Sequence, residues 1–163
     1  MSDSIIILTE EPLVPTDAEN ITDLYGPDDD VELVVLVSAD IHRNLFVDVV
    51  DQLTMLDLPG ALRELRERPD PEAKRAEAAH TLEESLRVLR AAGARVTGEV
   101  VEHDAVAALV ARVTGAGARQ AVVVTRPHAV ADTFRRDWAN QAQRKLGLPV
   151  LHLYAGSGFI GDS

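Results

Sequence analysis

Ala94-Arg95-Val96-Thr97-Gly98-Glu99-Val100-Val101 opens a stretch that runs through His103-Asp104-Ala105-Val106-Ala107-Ala108-Leu109-Val110-Ala111-Arg112-Val113-Thr114-Gly115 to Ala121-Val122-Val123-Val124-Thr125. The first and last pieces are short and rich in β-branched residues, as strands are. Between them, Asp104 is placed to cap a helix carrying Val106, Leu109, Val110 and Val113, with Gly115 as its stop. Strand, helix and strand in that order predict members of one parallel sheet joined by a right-handed crossover.

The same grammar extends in both directions. Ile5–Leu8, Glu32–Val37 and Val150–Tyr154 are further strand-like runs. Glu32–Val37 and Ala121–Thr125 are continuously apolar, which predicts strands covered on both faces. Ala94–Val101 alternates more and is expected nearer an edge. Asp70 followed by Pro71 and Glu72 is a helix start, with Leu82, Leu86 and Leu89 at i, i+4, i+7 and Gly93 as its end. Asp132 is placed to cap another helix, with Phe134, Trp138, Ala142 and Leu146 at helical spacing and Gly147 as its stop. Thr16 and Glu19 have the capping-box spacing for a short helix ending at Gly26. Residues 44–68 also carry a helical pattern, broken at Pro59-Gly60. The order β-α-β-α-α-β-α-β-α-β predicts an α/β three-layer sandwich, a five-stranded parallel sheet with helices on both faces.

Length and composition agree with that class. The 163 residues suit a single domain over 1–163, large enough to bury its own core. The absence of cysteine excludes a disulfide framework, a Cys-ligated zinc site and thiol chemistry. The net charge of −11 and 4% aromatic content argue against nucleic-acid binding. That charge is unevenly placed: residues 1–60 hold 14 acids and one base, Arg43, whereas residues 61–163 hold 13 acids and 15 bases. An acidic interaction surface and plain solubility are both consistent with such a first third. Met1-Ser2-Asp3-Ser4 lacks the basic start of a signal peptide, and the longest apolar runs are far short of a membrane span. A cytoplasmic protein with no membrane contact is expected.

From Asp70 to Ala155 the chain resembles the universal stress protein family. The resemblance is carried by the turn Gly93-Ala94-Arg95-Val96-Thr97, by His103-Asp104-Ala105-Val106-Ala107, by Gln120–Thr125, and by Leu148-Pro149-Val150-Leu151-His152-Leu153. The resemblance implies a Rossmann-like, adenine nucleotide alpha hydrolase-like sheet of order 3-2-1-4-5 and a homodimer paired through the last strand. Leu151, Leu153 and the apolar end of the tail would serve that pairing. ATP-binding members carry G-x2-G-x9-G-S/T after the fourth strand. Here Thr125-Arg126-Pro127-His128-Ala129-Val130 follows instead, no glycine occurs from residue 118 to 146, and Asp137 and Trp138 stand near the expected Gly-Ser pair. The family's aspartate after the first strand is replaced by Thr9-Glu10-Glu11. No ATP binding in the family's manner, and no other cofactor, is expected.

In open α/β sheets ligands bind beyond the carboxyl ends of strands where the strand order reverses. Under the family's order this crevice lies between the first and fourth strands, bordered by Thr9 and Glu10 on one side and Thr125, Arg126 and His128 on the other. Arg126 can grip a carboxylate or phosphate, His128 adds a titratable donor, and Arg135 and Arg136 extend a basic wall. Arg126 can equally close the crevice by an ion pair with Glu10 or Glu11. Trp138 is expected in the core, where its indole would fill the place of a nucleotide. His103 reads as an exposed neighbour of a helix cap, and His152 as a core or interface histidine with one backbone partner. The scattered histidines have no metal-ligand spacing. Gly156-Ser157-Gly158-Phe159-Ile160-Gly161 spells the dinucleotide fingerprint, but no helix follows it within this sequence, and 156–163 reads as a flexible or dimer-contacting tail. No nucleophile–base pair or paired carboxylates suggest an enzyme. These observations favour a regulatory or interaction protein with an unspecified protein partner, against a sensor of small anions or residual nucleotide acting through the crevice.

Overall fold

The computed structural model describes residues 3–39, 70–102, 105–125 and 146–156. Five strands form one parallel sheet: β1 (Asp3–Thr9), β2 (Val31–Ser38), β3 (Arg95–Val101), β4 (Gln120–Thr125) and β5 (Val150–Tyr154). Their spatial order is β3-β2-β1-β4-β5, the predicted 3-2-1-4-5. Three helices are described: α1 (Pro15–Thr22), α2 (Pro71–Ala91) and α3 (Ala105–Ala116). The expected helices over 44–68 and from Asp132 onward fall outside the described residues, apart from Leu146 at the end of the latter. Gly147 beside it has φ +66°, the left-handed geometry of a helix stop.

Alternation along the strands divides the core into two layers. Ile5 and Ile7 of β1, Val35 and Val37 of β2, and Val122 and Val124 of β4 face α1 and α2. Ile6 and Leu8, Leu36, and Ala121 and Val123 face Leu109 and Val113 of α3. The central strands are therefore covered on both faces, as their unbroken apolar runs require. The more alternating β3 does lie at an edge. Among the described residues no helix is long and apolar enough to cross a membrane.

Several element ends differ from the sequence expectation for local reasons. α2 starts as expected, with Asp70 Oδ1 accepting from the Glu72 amide at 3.0 Å and Pro71 in the first turn. Its buried stripe, however, is Ala78, Thr81, Ser85, Val88 and Leu89, with Leu82 and Leu86 half-buried at its side. Small residues let the helix sit close to the sheet. α1 begins at Pro15 rather than on a Thr16 cap, because Pro15 presets the first helical φ and Asp17 Oδ2 reaches back to the Val14 amide. It ends at Thr22, short of Gly26. In α3, Gly115 is inside the helix and Gly117, at φ +60°, marks its end. Val110 is 42% exposed instead of facing the core.

Three acids of the first third pair with bases of the second half. Arg119, before β4, lies 3.2 Å from Asp29 and 3.6 Å from Asp3, and Arg95 at the start of β3 pairs with Asp30. These contacts sit at the amino ends of the strands. They are exposed and each adds little stability, but they spend several of the excess acids inside the protein.

Candidate functional site

The opposite, carboxyl edge of the sheet holds the strand-order reversal, where β1 lies between β2 and β4. Register places Thr9 of β1 beside Val37 of β2 and Val124 of β4. One residue further along, Ser38 ends β2, Thr125 ends β4 and Glu10 follows β1, and all three are buried. Polar side chains thus terminate adjacent strands at the point where a doubly wound sheet opens a crevice.

The two predicted threonines at this edge are both engaged internally. Thr9 is fully buried, and its Oγ1 donates to the Glu11 carbonyl at 2.7 Å while accepting from the Glu11 amide at 3.2 Å. This closes a tight turn on the chain just leaving β1. Thr125 Oγ1 lies 2.7 Å from His152 Nε2 in a buried hydrogen bond. Strand register makes the contact diagonal: His152 stands opposite Val123, and Thr125 opposite Tyr154. The His152 and Tyr154 rings meet edge to face with centroids 4.8 Å apart. His152 is therefore a buried histidine, as expected, and the Thr125 hydroxyl is one of its partners.

Arg126, His128, Arg135, Arg136 and Trp138 lie outside the described residues, as do His103 and Asp104. The candidate ion pair from Arg126 to Glu10 or Glu11 and the indole-filled crevice lie there too. Among the described residues no group of three or more histidines or carboxylates is placed to hold a metal ion.

Sequence reasoning missed one functional-looking residue, Asp17. It is fully buried on α1, and its carboxylate accepts from the Val14 amide through Oδ2 at 3.0 Å and from the Gly156 amide through Oδ1 at 2.9 Å. Pro15 was the available signal, since a proline at the first helical position puts residue 17 at the third, where a carboxylate folds back on the cap. The bond to Gly156 spans most of the chain and had no local signal. A second long-range contact, from the Leu13 amide to Ser85 Oγ at 3.1 Å, fastens the same β1–α1 loop to α2.

Order, parallel pairing and a polar crevice edge define a Rossmann-like α/β protein with helices on both sheet faces. Among solved structures it superposes on a universal stress protein from Archaeoglobus fulgidus with TM-score 0.53 and 16% identity, over 93% of this chain and 94% of that one. It also matches a universal stress protein family protein from Arabidopsis thaliana, crystallised with AMP bound, with TM-score 0.51 and 12% identity over 94% and 93% of the two chains. The fold is that of the universal stress proteins. No protein-family model matches the chain, and no curated protein matches it in sequence.

Proposed function

We propose that this is a universal stress protein-like regulatory or interaction protein, a single cytoplasmic domain acting as a homodimer, that does not bind ATP in the manner of the nucleotide-binding members. The observation that supports this reading is the segment after β4. Wrapping a phosphate chain in backbone amides needs glycines that let the main chain approach closely. After Thr125 the chain continues Arg126-Pro127-His128-Ala129-Val130, and its next glycine is Gly147. Proline offers no amide donor, and residues that carry a Cβ hinder the close main-chain approach that glycine allows. The internal bonds of Thr9 and Thr125 are in keeping with a crevice edge engaged within the protein.

The Arabidopsis structure with AMP bound makes nucleotide the natural ligand to try. Equilibrium dialysis with AMP and with magnesium-ATP at millimolar concentration is expected to show no retention. Saturable retention of either would overturn the reading. Should a small anion such as phosphate or a dicarboxylate raise the melting temperature, loss of that shift in Arg126→Ala would favour the anion sensor. Pairing through β5 would rely on its backbone edge, because the Leu153 side chain is already spent in the core. A monomeric mass by sedimentation at micromolar concentration would refute the dimer.

A further inference from the structure

We infer that Asp17 makes the β1–α1 loop and the chain leaving β5 into one cooperative unit, which opens and closes as a whole while the sheet stays intact. The loop follows the carboxyl end of β1, and Gly156 lies just beyond the last strand pairing of β5. Ala155 still bonds the sheet, its amide reaching the Thr125 carbonyl at 2.9 Å. The next amide, Gly156, turns away at φ +71° and donates instead to Asp17 Oδ1 at 2.9 Å. Oδ2 of the same carboxylate holds the Val14 amide at 3.0 Å.

One side chain, fully buried, thus supplies the acceptors for two segments far apart in sequence. If the carboxylate moves, both amides lose their partner together, and the buried carboxylate itself is costly to leave without donors. Local openings of this kind are set by the bonds that close them rather than by global stability. The loop after β1 is therefore coupled to the exit of β5: drawing Gly156 away from Asp17 also loosens that loop. This coupling stands whether or not the proposed function is right.

Amide hydrogen exchange followed by NMR tests it. Asp17→Asn keeps the shape but only one oxygen, so only one of the two bonds can persist. The cooperative unit predicts that the Val14 and Gly156 amides both lose protection, each by about tenfold to a hundredfold, the factor such a charge-assisted bond is worth. The amides of Ile7 and Val123 in the sheet should keep theirs. Loss at one amide alone, with the other unchanged, overturns the inference. If Asp17→Asn does not fold, native-state exchange of the unaltered protein in low urea decides. Val14 and Gly156 must then share one opening free energy and one urea dependence, and clearly different values refute the unit.

Discussion

Thr125 Oγ1 and His152 Nε2 lie 2.7 Å apart across two neighbouring parallel strands, both side chains buried at the carboxyl edge of the sheet. The bond ties β4 to β5 near the carboxyl end of their pairing. A buried hydroxyl and a buried ring nitrogen satisfy one another here, and neither survives cheaply alone.

Thr125→Val keeps the side-chain shape and removes only the hydroxyl. We expect a loss of about 1–3 kcal/mol in urea unfolding, the cost of stranding a buried polar partner. Combined with His152→Leu in a double-mutant cycle, the coupling should reach roughly 0.5–3 kcal/mol, as for residues in direct contact. A coupling indistinguishable from zero would show that the two side chains do not support one another.

Gly98 is required by packing rather than by backbone angle. A Cβ there would lie 2.6 Å from Leu82 Cδ1 of α2 and 2.7 Å from the Val35 carbonyl of β2. Gly98→Ala should therefore destabilise by about 1–3 kcal/mol, the usual penalty for overpacking. In a Leu82→Ala background the penalty should shrink without vanishing, because the Val35 carbonyl cannot withdraw without breaking the sheet. Thermal unfolding of the four variants in that cycle measures it, and an unchanged melting temperature for Gly98→Ala would contradict the packing.

Asp29 carries the clearest acid dependence among the ion pairs of the first third. The Gly26 amide first, and then the Arg119 guanidinium, hold its carboxyl below the ordinary value of 3.8. A carboxyl lowered on folding adds stability above its unfolded value, and that stability is lost as pH falls through the folded one. The contribution should therefore be complete at neutral pH and fade below about pH 4. In an NMR titration Arg119→Ala should return the Asp29 midpoint only part of the way towards normal, since the Gly26 amide remains. A full return would assign the shift to Arg119 instead.

Much of the architecture was legible before any coordinates. Ile5–Leu8, Glu32–Val37, Ala121–Thr125 and Val150–Tyr154 fall within or match the observed strands, because a strand covered on both faces writes an unbroken apolar run. Asp70-Pro71 marked the start of α2, because a cap and a first-turn proline act within one turn of chain. Where local signals competed, the reading slipped. Gly115 was expected to stop α3, but the helix runs to Ala116 and Gly117 takes the left-handed φ. Thr16 looked like a cap, but Pro15 and buried Asp17 had already set the helix start.

The partnerships at the candidate site were not legible in the sequence. Strand order placed Thr9, Glu10 and Thr125 at the carboxyl edge of the sheet, and all three are buried. That Thr9 turns onto Glu11 and that Thr125 binds His152 depended on side-chain directions set by the packed strands.

The sequence by itself determined the class of fold, since periodicity, caps and apolar runs are properties of neighbouring residues. It also determined that the segment after β4 lacks the glycines a phosphate cradle needs, which is a matter of composition alone. Only the tertiary structure decided that Asp17 meets Gly156, that Ser85 meets Leu13, that Gly98 makes room for Leu82, and that Arg119 and Arg95 answer the acids of the first third. Each of those contacts joins residues far apart in the chain. The physical reason is that such a pairing depends on how strands and helices stack in space, and no local pattern of residues encodes that distance.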